Sequence, residues 1–309
     1  KGSFYTPREV VSFMCKQSIK NYLLNNRNFN EEKLTTLLST LDNDENKKDI
    51  FSTSDLKIID SLLENIKICD PAIGSGAFPV QFMNEIVTIR MLISDNLKLD
   101  YSQYLLKRNF IENSIYGVDI DSSAIEIAKL RLWLSLIIDE KSFDKIDPLP
   151  NLDYKILQGN SLNQSYENYD FEKDQSFELF EDEQLSELKK DLISIQHQYF
   201  NSTSKKKGKK LQKELHEKVN NIINIKSKKE TNQNFLSLIE ERNFFLWKIF
   251  FIDVFDKGGF DLVIGNPPYV FARSSSLKEL TSVDKKYYVE KFKLTEYQIN
   301  LYSLFVELG

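Results

Sequence analysis

Gly259-Phe260-Asp261-Leu262-Val263-Ile264-Gly265-Asn266-Pro267-Pro268-Tyr269-Val270 is the stretch from which the chain is best read. Its first half is a short apolar run rich in β-branched residues, which predicts a buried strand over Phe260–Ile264. The run breaks at Gly265 into Asn266-Pro267-Pro268-Tyr269. Two prolines fix φ and remove two backbone donors, so the turn is stiff and its carbonyls are left to accept. A rigid pair of acceptors followed by an aromatic ring suits a planar base that carries an exocyclic amine. Asn266 and the Pro267 carbonyl would each take one amine hydrogen, with Tyr269 stacked on the ring. A plain strand-ending turn fits the same four residues, because Asn and Pro are common turn formers. The rest of the chain has to decide between them.

Upstream, Ile66-Lys67-Ile68-Cys69 predicts a second short strand that leads into Asp70-Pro71-Ala72-Ile73-Gly74-Ser75-Gly76-Ala77-Phe78. A helix follows, with Val80, Phe82, Met83, Ile86, Val87 and Met91 on its apolar side. Strand, glycine turn and helix start make the first unit of a nucleotide-binding α/β sheet. Gly74 and Gly76 permit positive φ and a close approach of ligand to backbone. The spacing differs from the Gly-x-x-x-x-Gly-Lys phosphate loop and no lysine follows, which disfavours a nucleoside triphosphate. Ser114–Asp121 predicts the next strand, ending at Asp119, with Asp121 capping a helix that carries Ile125, Ile127, Ala128, Leu130, Leu132, Trp133 and Leu136. Residues 100–113 read as an extra helix. Tyr154–Leu162 predicts a further strand and its turn, with Asn160 in the turn. At the start of the chain, Thr6 as N-cap and Pro7 in the first turn predict a helix from about Arg8. Val10, Val11, Phe13, Met14, Ile19, Tyr22 and Leu23 would form its apolar side.

In this order, Tyr5-Thr6-Pro7, Asp70…Gly76, Asp119, Asn160 and Asn266-Pro267-Pro268-Tyr269 resemble the motif series of S-adenosylmethionine-dependent amino-methyltransferases, above all the N6-adenine DNA methyltransferases. The series is most similar to the methyltransferase region of Type IIG restriction–modification enzymes, in which endonuclease, methylase and sequence-reading domains share one polypeptide. The resemblance implies an α/β fold with a doubly wound, mainly parallel sheet and helices on both faces. It implies S-adenosylmethionine as cofactor, contacted by Tyr5, Thr6, Pro7, Asp70, Pro71, Gly74 and Gly76. Asp70 would meet the cationic amino-acid end, Asp119 the ribose hydroxyls and Ile120 the adenine face. Asn160 stands where many such enzymes carry an aspartate that binds the adenine amine, and its amide oxygen can still accept that bond. Asn266, Pro267, Pro268 and Tyr269 would be catalytic, acting without a metal on an adenine flipped out of double-stranded DNA. Phage-defence methylases of the BREX type have a similar pattern, and Asn-Pro-Pro-Tyr also serves amino-methyltransferases of RNA and of protein glutamine. A non-enzymatic DNA-binding or assembly subunit is a further reading, against which the intact Asp70, Asp119 and Asn266 stand.

The 309 residues, 41% of them apolar, are enough for one large domain plus an insertion. No apolar run approaches the ~20 residues of a membrane span, and no signal peptide opens the chain. Cys15 and Cys69 read as buried reduced thiols of a cytoplasmic protein. His197 and His216 have no cysteine partners for a zinc site. The net charge of −5 speaks against a surface that binds DNA all over, though it allows a local basic face.

The expected division is an N-terminal helical region with the cofactor-contacting motif (1–65), a methyltransferase core (66–163 and 246–309) and a helical insertion (164–245). In the insertion, an acidic run beginning at Glu167 precedes Leu185, Leu188, Leu192 and Ile195 at helical spacing. Leu211, Leu215, Val219 and Ile222 form a second stripe, and the pair predicts an antiparallel hairpin. The run Lys205-Lys206-Lys207 at its turn fits either a solvated turn or a track for phosphates. Glu187-Leu188-Lys189 matches only the tail of a nuclease motif and reads as surface charge. Tyr297–Phe305 predicts one more amphipathic helix. A fold of this kind needs strands beyond that helix, so the chain reads as C-terminally incomplete. The strand 260–264 would then keep an unpaired edge through which the chain self-associates.

Overall fold

The computed structural model describes residues 6–39, 51–138, 151–166, 169–170, 183–202, 204–227, 244–269, 282–295 and 299–309. Tyr5, Glu167, the acidic residues 171–182, Val270 and Tyr297 lie outside these residues. Four short strands build the sheet: β1 (Ile68–Asp70), β2 (Ile115–Asp119), β3 (Ile156–Gln158) and, last in the chain, β6 (Leu262–Val263). All neighbours are parallel and the order is β3-β2-β1-β6. The strands β4 (Ser165–Tyr166) and β5 (Tyr169–Asp170) form a separate antiparallel pair. The chain therefore winds outward from β1 to β3 and returns on the far side of β1. This is the expected doubly wound topology, and its switch point lies between β1 and β6. Ligands of such sheets bind beyond the carboxyl ends of the strands at that point.

Strand alternation sends successive side chains to opposite faces, and both faces are apolar. Ile68, Ile115, Ile156 and Leu262 join one cluster with six helices: α1 (Arg8–Asn26), α2 (Glu31–Ser39), α3 (Thr53–Asn65), α4 (Ala77–Leu97), α5 (Gln103–Asn113) and α6 (Ser122–Ile137). Cys69, Tyr116, Val118 and Leu157 join the other, with Leu192, Ile195 and Tyr199 of α7 (Glu183–Phe200) and Leu211, Leu215, Val219 and Ile222 of α8 (Lys205–Ser227). The expected helical hairpin is thus present, and it supplies much of the sheet's second layer. Phe245, Trp247, Phe250 and Phe251, along α9 (Trp247–Phe250) and into α10 (Ile252–Phe255), complete that layer. A third, smaller cluster joins Leu162 to α11 (Ser282–Lys291) and α12 (Leu301–Leu308) through Tyr288, Phe292 and Leu304.

Several local expectations change. Thr6 does not cap α1: the helix starts after Pro7, which is the cap position and makes no side-chain cap bond. The buried row of α1 is Val11, Cys15, Ile19, Tyr22 and Leu23, whereas Val10 and Phe13 are 44% and 64% exposed. The i, i+4 series through Cys15 faces the core and turns those two residues outward. Tyr154, expected to open the third strand, instead ends a 3₁₀ turn over Leu152–Tyr154, where Asn151 ties the chain to the Tyr199 and Ser202 carbonyls. In the 260–264 strand only Leu262 and Val263 join the ladder, and Val263 is 44% exposed rather than buried. The outer edge of β6 meets no other strand among the described residues, although Gly309 approaches the Val263 side chain. The last helix begins at Leu301, where Asn300 accepts from the Tyr302 N–H and sets its start. Among the described residues no helix is long and apolar enough to cross a membrane. Both cysteines are buried free thiols.

Candidate active site

β1, β2 and β6 release their loops at one edge, and each loop carries residues expected at the site. Asp70 closes β1 with 1% exposure, and its carboxylate accepts the Ala72 N–H at 3.0 Å. Burial pushes its pKa up to about 8; the Ala72 bond opposes the rise and the nearby Asp119 charge adds to it. From Pro71 the backbone folds back over β2, where the Ile73 N–H donates to the Val118 carbonyl at 3.0 Å. Ile73 fills the space above Gly117, where a Cβ would come within 2.2 Å of Ile73 Cδ1. The Pro71 carbonyl accepts the Ser161 hydroxyl at 2.6 Å, which joins the β1 and β3 loops.

Gly74 (φ 51°) and Gly76 (φ 77°) use the left-handed backbone that the sequence required of them. A Cβ on Gly76 would also press within 3.1 Å of Ala128 on α6. The turn is clamped from that helix by Arg131, whose Nη1 donates to the Ser75 carbonyl and hydroxyl at 3.0 Å each. Asp119, at the end of β2, accepts the Gly74 N–H at 2.8 Å and the Asp121 N–H at 2.9 Å. Burial raises its pKa and these backbone bonds oppose the rise. Asp121 caps α6 as expected, accepting the Ser123 N–H at 2.8 Å. Ile120 is 63% exposed, and its carbonyl accepts from Gln158 at 2.8 Å. Asn160 lies one turn beyond β3. Its amide oxygen accepts the Leu162 N–H and its amide nitrogen donates to the Tyr288 hydroxyl, both at 3.1 Å.

The Asn266 loop comes directly against this group. Gly265 sits so close to Asp70 that a Cβ there would lie 2.7 Å from Asp70 Oδ1. Asn266 Nδ2 donates to Thr6 Oγ1 at 2.9 Å, a contact between residues 260 positions apart. Pro267 is buried, and the Tyr269 ring is 51% exposed. It stacks on Tyr302 with centroids 5.1 Å apart and planes within 13°. The structure thus joins the first and last expected motifs and sets Asp70, Asp119 and Asn266 along one edge. Arg131, Gln158 and Tyr302 also belong to this edge and were not expected there. Their helical or strand context gives no local signal of it.

Comparison with known proteins places the chain in a family. The pattern of the Eco57I restriction-modification methylase family matches residues 113–309. A putative type II restriction enzyme and methyltransferase of Methanocaldococcus jannaschii is 29% identical over 352 aligned positions, which cover 90% of this chain and 29% of that protein. The Eco57I type II restriction enzyme and methyltransferase of Escherichia coli is 34% identical over 122 residues, 35% of this chain and 12% of that protein. The chain therefore spans less than a third of either relative's length. With more than half of its residues inside the family pattern, the chain belongs to the Eco57I restriction-modification methylase family, the methylase region of Type IIG restriction–modification proteins.

Proposed function

We propose that the chain uses S-adenosylmethionine to methylate adenine N6 in double-stranded DNA, within a restriction–modification protein. The observation that carries this reading is the placement of Asn266 at the switch point, directly beside the loop that holds Asp70. The cofactor fits the charges of the site. Asp70 and Asp119 are two carboxylates raised by burial, and among the described residues no basic side chain pairs with either. A ligand with a cationic amino-acid end and a ribose would supply the missing charge and donors. When bound, S-adenosylmethionine supplies a methyl group on a sulfonium leaving group.

Asp70 would hold the ammonium end, and Asp119, which keeps a lone pair on each oxygen beyond its backbone bonds, the ribose hydroxyls. The exposed Ile120 offers an apolar face to the cofactor's adenine. The Asn160 oxygen retains a second lone pair for the adenine amine. Asn266 and the Pro267 carbonyl would accept both N6 hydrogens of a flipped base stacked on Tyr269. This draws the nitrogen lone pair out of conjugation with the ring and aims it at the methyl group. With Asp70 and Asp119 holding the cofactor, its sulfonium would supply the carbon of the new nitrogen–carbon bond as the sulfur–carbon bond breaks, and N6 would release one proton to water. With so good a leaving group, orientation does more than a strong base could.

Tritiated-methyl transfer to duplex DNA, RNA and protein, followed by nucleoside analysis, tests the reading. Label in N6-methyladenine of duplex DNA is expected. Label confined to RNA or to protein glutamine would assign the site to another amino-methyltransferase, and label in N4-methylcytosine would change the target base. A DNA substrate and two free thiols suit the cytoplasm. Among the described residues no strand pairs with the outer edge of β6, which favours self-association of this chain; sedimentation at increasing concentration should reveal it.

A further inference from the structure

The charges at the start of α8 are placed where a helix tolerates them least. The chain has a net charge of −5, yet Lys206, Lys207, Lys209, Lys210 and Lys213 crowd the first turns of this helix, all of them exposed. A helix N-terminus is the positive end of the macrodipole, so cations there lose stability and acidic residues gain it. The first turn of α8 has no acidic residue. Lys206 and Lys210, and likewise Lys209 and Lys213, stand four positions apart on neighbouring turns, where like charges repel. Among the described residues, Lys213 alone of the five has a carboxylate at ion-pair distance, Glu217 at 3.8 Å.

Packing does not call for these lysines. Leu211, Leu215, Val219 and Ile222, at most 7% exposed, fix the opposite side of α8 in the sheet's second layer. Lys206, Lys209, Lys210 and Lys213 follow the i, i+3, i+4, i+7 spacing of one helix face, and over seven residues that face is about 10 Å long. The turn that presents it is held to the body of the protein. Asn201 donates to Glu112 at 3.2 Å, and Asn151 donates to the Tyr199 and Ser202 carbonyls at 2.8 and 3.0 Å. The stripe is thus a fixed row of positive charge that the fold bears at a loss.

We propose that this lysine stripe is a second DNA-binding surface, which holds phosphates of duplex DNA away from the catalytic edge. Charge complementarity selects the occupant. Duplex DNA carries one negative charge per ~1.7 Å of its axis, so a row of about 10 Å faces several phosphates at once. A small anion would meet one or two of the lysines and leave the others in mutual repulsion. Contacts to phosphates carry no sequence information. The surface therefore keeps the protein on DNA between targets and does not choose the target. The inference rests on the reading above that the substrate is duplex DNA.

The test is a binding measurement that needs no methyl transfer. Lys206→Gln, Lys207→Gln, Lys209→Gln and Lys210→Gln are combined, and affinity for a duplex of arbitrary sequence is followed by fluorescence anisotropy between about 50 and about 200 mM salt. Affinity at low salt is expected to fall at least tenfold, and the slope of log affinity against log salt to become shallower by about three. Arginine at the same four positions should keep affinity within about twofold of wild type, because the charge is retained. Lys33→Gln, Lys57→Gln and Lys98→Gln together, exposed lysines of α2, of α3 and just after α4, should change affinity less than threefold. Tm of the four-glutamine variant should equal or exceed that of wild type, since repulsion is relieved. Unchanged affinity and slope in that variant would overturn the proposal and leave the stripe a solvated face or a contact for an acidic protein. An equal fall with Lys33, Lys57 and Lys98 replaced, or a loss of binding that accompanies a lower Tm, would overturn it as well. Wild-type protein that binds DNA through the stripe yet methylates none overturns the methyltransferase reading alone. Methylation by a protein whose DNA affinity ignores the stripe overturns this inference alone.

Discussion

Asp70→Asn should make the ligand-free protein more stable while destroying its affinity for S-adenosylmethionine. The wild-type carboxyl is raised from an ordinary 3.8 to about 8, chiefly by burial. At ~1.4 kcal/mol per pH unit, its charged form costs the fold on the order of 5 kcal/mol at alkaline pH. Asparagine removes that charge, and its oxygen can still accept the Ala72 N–H. Its buried NH₂ group meets no evident acceptor among the described residues and takes back ~1–3 kcal/mol. A net gain of about 2 kcal/mol or more remains, which in a chain of this size raises Tm by a few degrees. The sign with pH follows from proton counting. Between pH 4 and pH 8 the native carboxyl holds a proton that the unfolded chain has released, so wild-type stability falls as pH rises and levels off above 8. Other groups cancel in the difference between the two proteins. Thermal melts from pH 5 to pH 9 should therefore show a Tm gap that is small at pH 5 and widest at 8 to 9. Added S-adenosylmethionine should raise the wild-type Tm and leave the variant unmoved. A gap independent of pH, or a variant less stable than wild type at pH 8, would refute the reasoning.

Asp119→Ala removes the proposed ribose acceptor together with the partner of the Gly74 and Asp121 N–H groups; calorimetry should show cofactor affinity at least tenfold weaker, and an unchanged affinity would sink the ribose assignment. Gly265→Ala drives a methyl to 2.7 Å from Asp70 Oδ1, so affinity and methyl transfer should both fall at least tenfold; Gly208→Ala, in the α8 helix with nothing nearer than 3.9 Å, should be neutral or stabilising by up to ~1 kcal/mol. Tyr269→Ala should weaken capture of the flipped base by ~1–3 kcal/mol while Tyr269→Phe keeps most activity, and equal loss in both would show that the ring does more than stack. Tyr302→Ala should raise KM for DNA about three- to tenfold, the scale of an aromatic pair, with Tyr302→Phe close to wild type; equal KM values for Tyr302→Ala and wild type would show that the stack on Tyr269 has no part in binding.

What could be read from the sequence was local chemistry. Asp70, Gly74, Gly76, Asp119 and the Asn266 turn stand at strand ends, where short runs of apolar, acidic, glycine and proline residues announce both element and loop. Parallel strands connected through helices then leave few possible orders. Contacts across the chain were not legible. Nothing near Thr6 distinguishes a helix cap from a partner of Asn266, and Tyr302 sits in an apolar helix where an aromatic is ordinary. Asn160 was read from its position alone, yet both ends of its amide are already engaged, by Leu162 and Tyr288. The hairpin was recognised from its two leucine-rich stripes. That these stripes cover the sheet depends on partners, Cys69, Tyr116 and Val118, that lie far away in sequence.

The two ends of the sheet are built differently, and under the proposed function this bears on where DNA would approach. At the amino ends of the strands, Tyr116 donates to Asp253, and Lys155 pairs with the same carboxylate. The turn of the α7–α8 hairpin is fastened at this end as well: Asn201 bonds Glu112 just before β2, and Asn151, just before β3, bonds the Tyr199 and Ser202 carbonyls. The lysines that follow this turn, Lys206, Lys207, Lys209 and Lys210, are exposed there. Roughly 15 Å of strand, at ~3.3 Å per residue, separates them from the carboxyl edge before the loops are added. On the proposed reading, they would lie away from the phosphates that flank a base stacked on Tyr269. The carboxyl edge is open by comparison, with Ile120, Tyr269 and Tyr302 at 63%, 51% and 38% exposure. Apolar and aromatic surface exposed beside buried carboxylates is unfavourable for a purely structural edge and suits one that receives stacked rings. Neutralising Lys206, Lys207, Lys209 and Lys210 together should consequently leave the methylation rate at saturating DNA unchanged. A large fall in kcat in that variant would mean that the hairpin turn reaches the catalytic face, contrary to the anchoring described here.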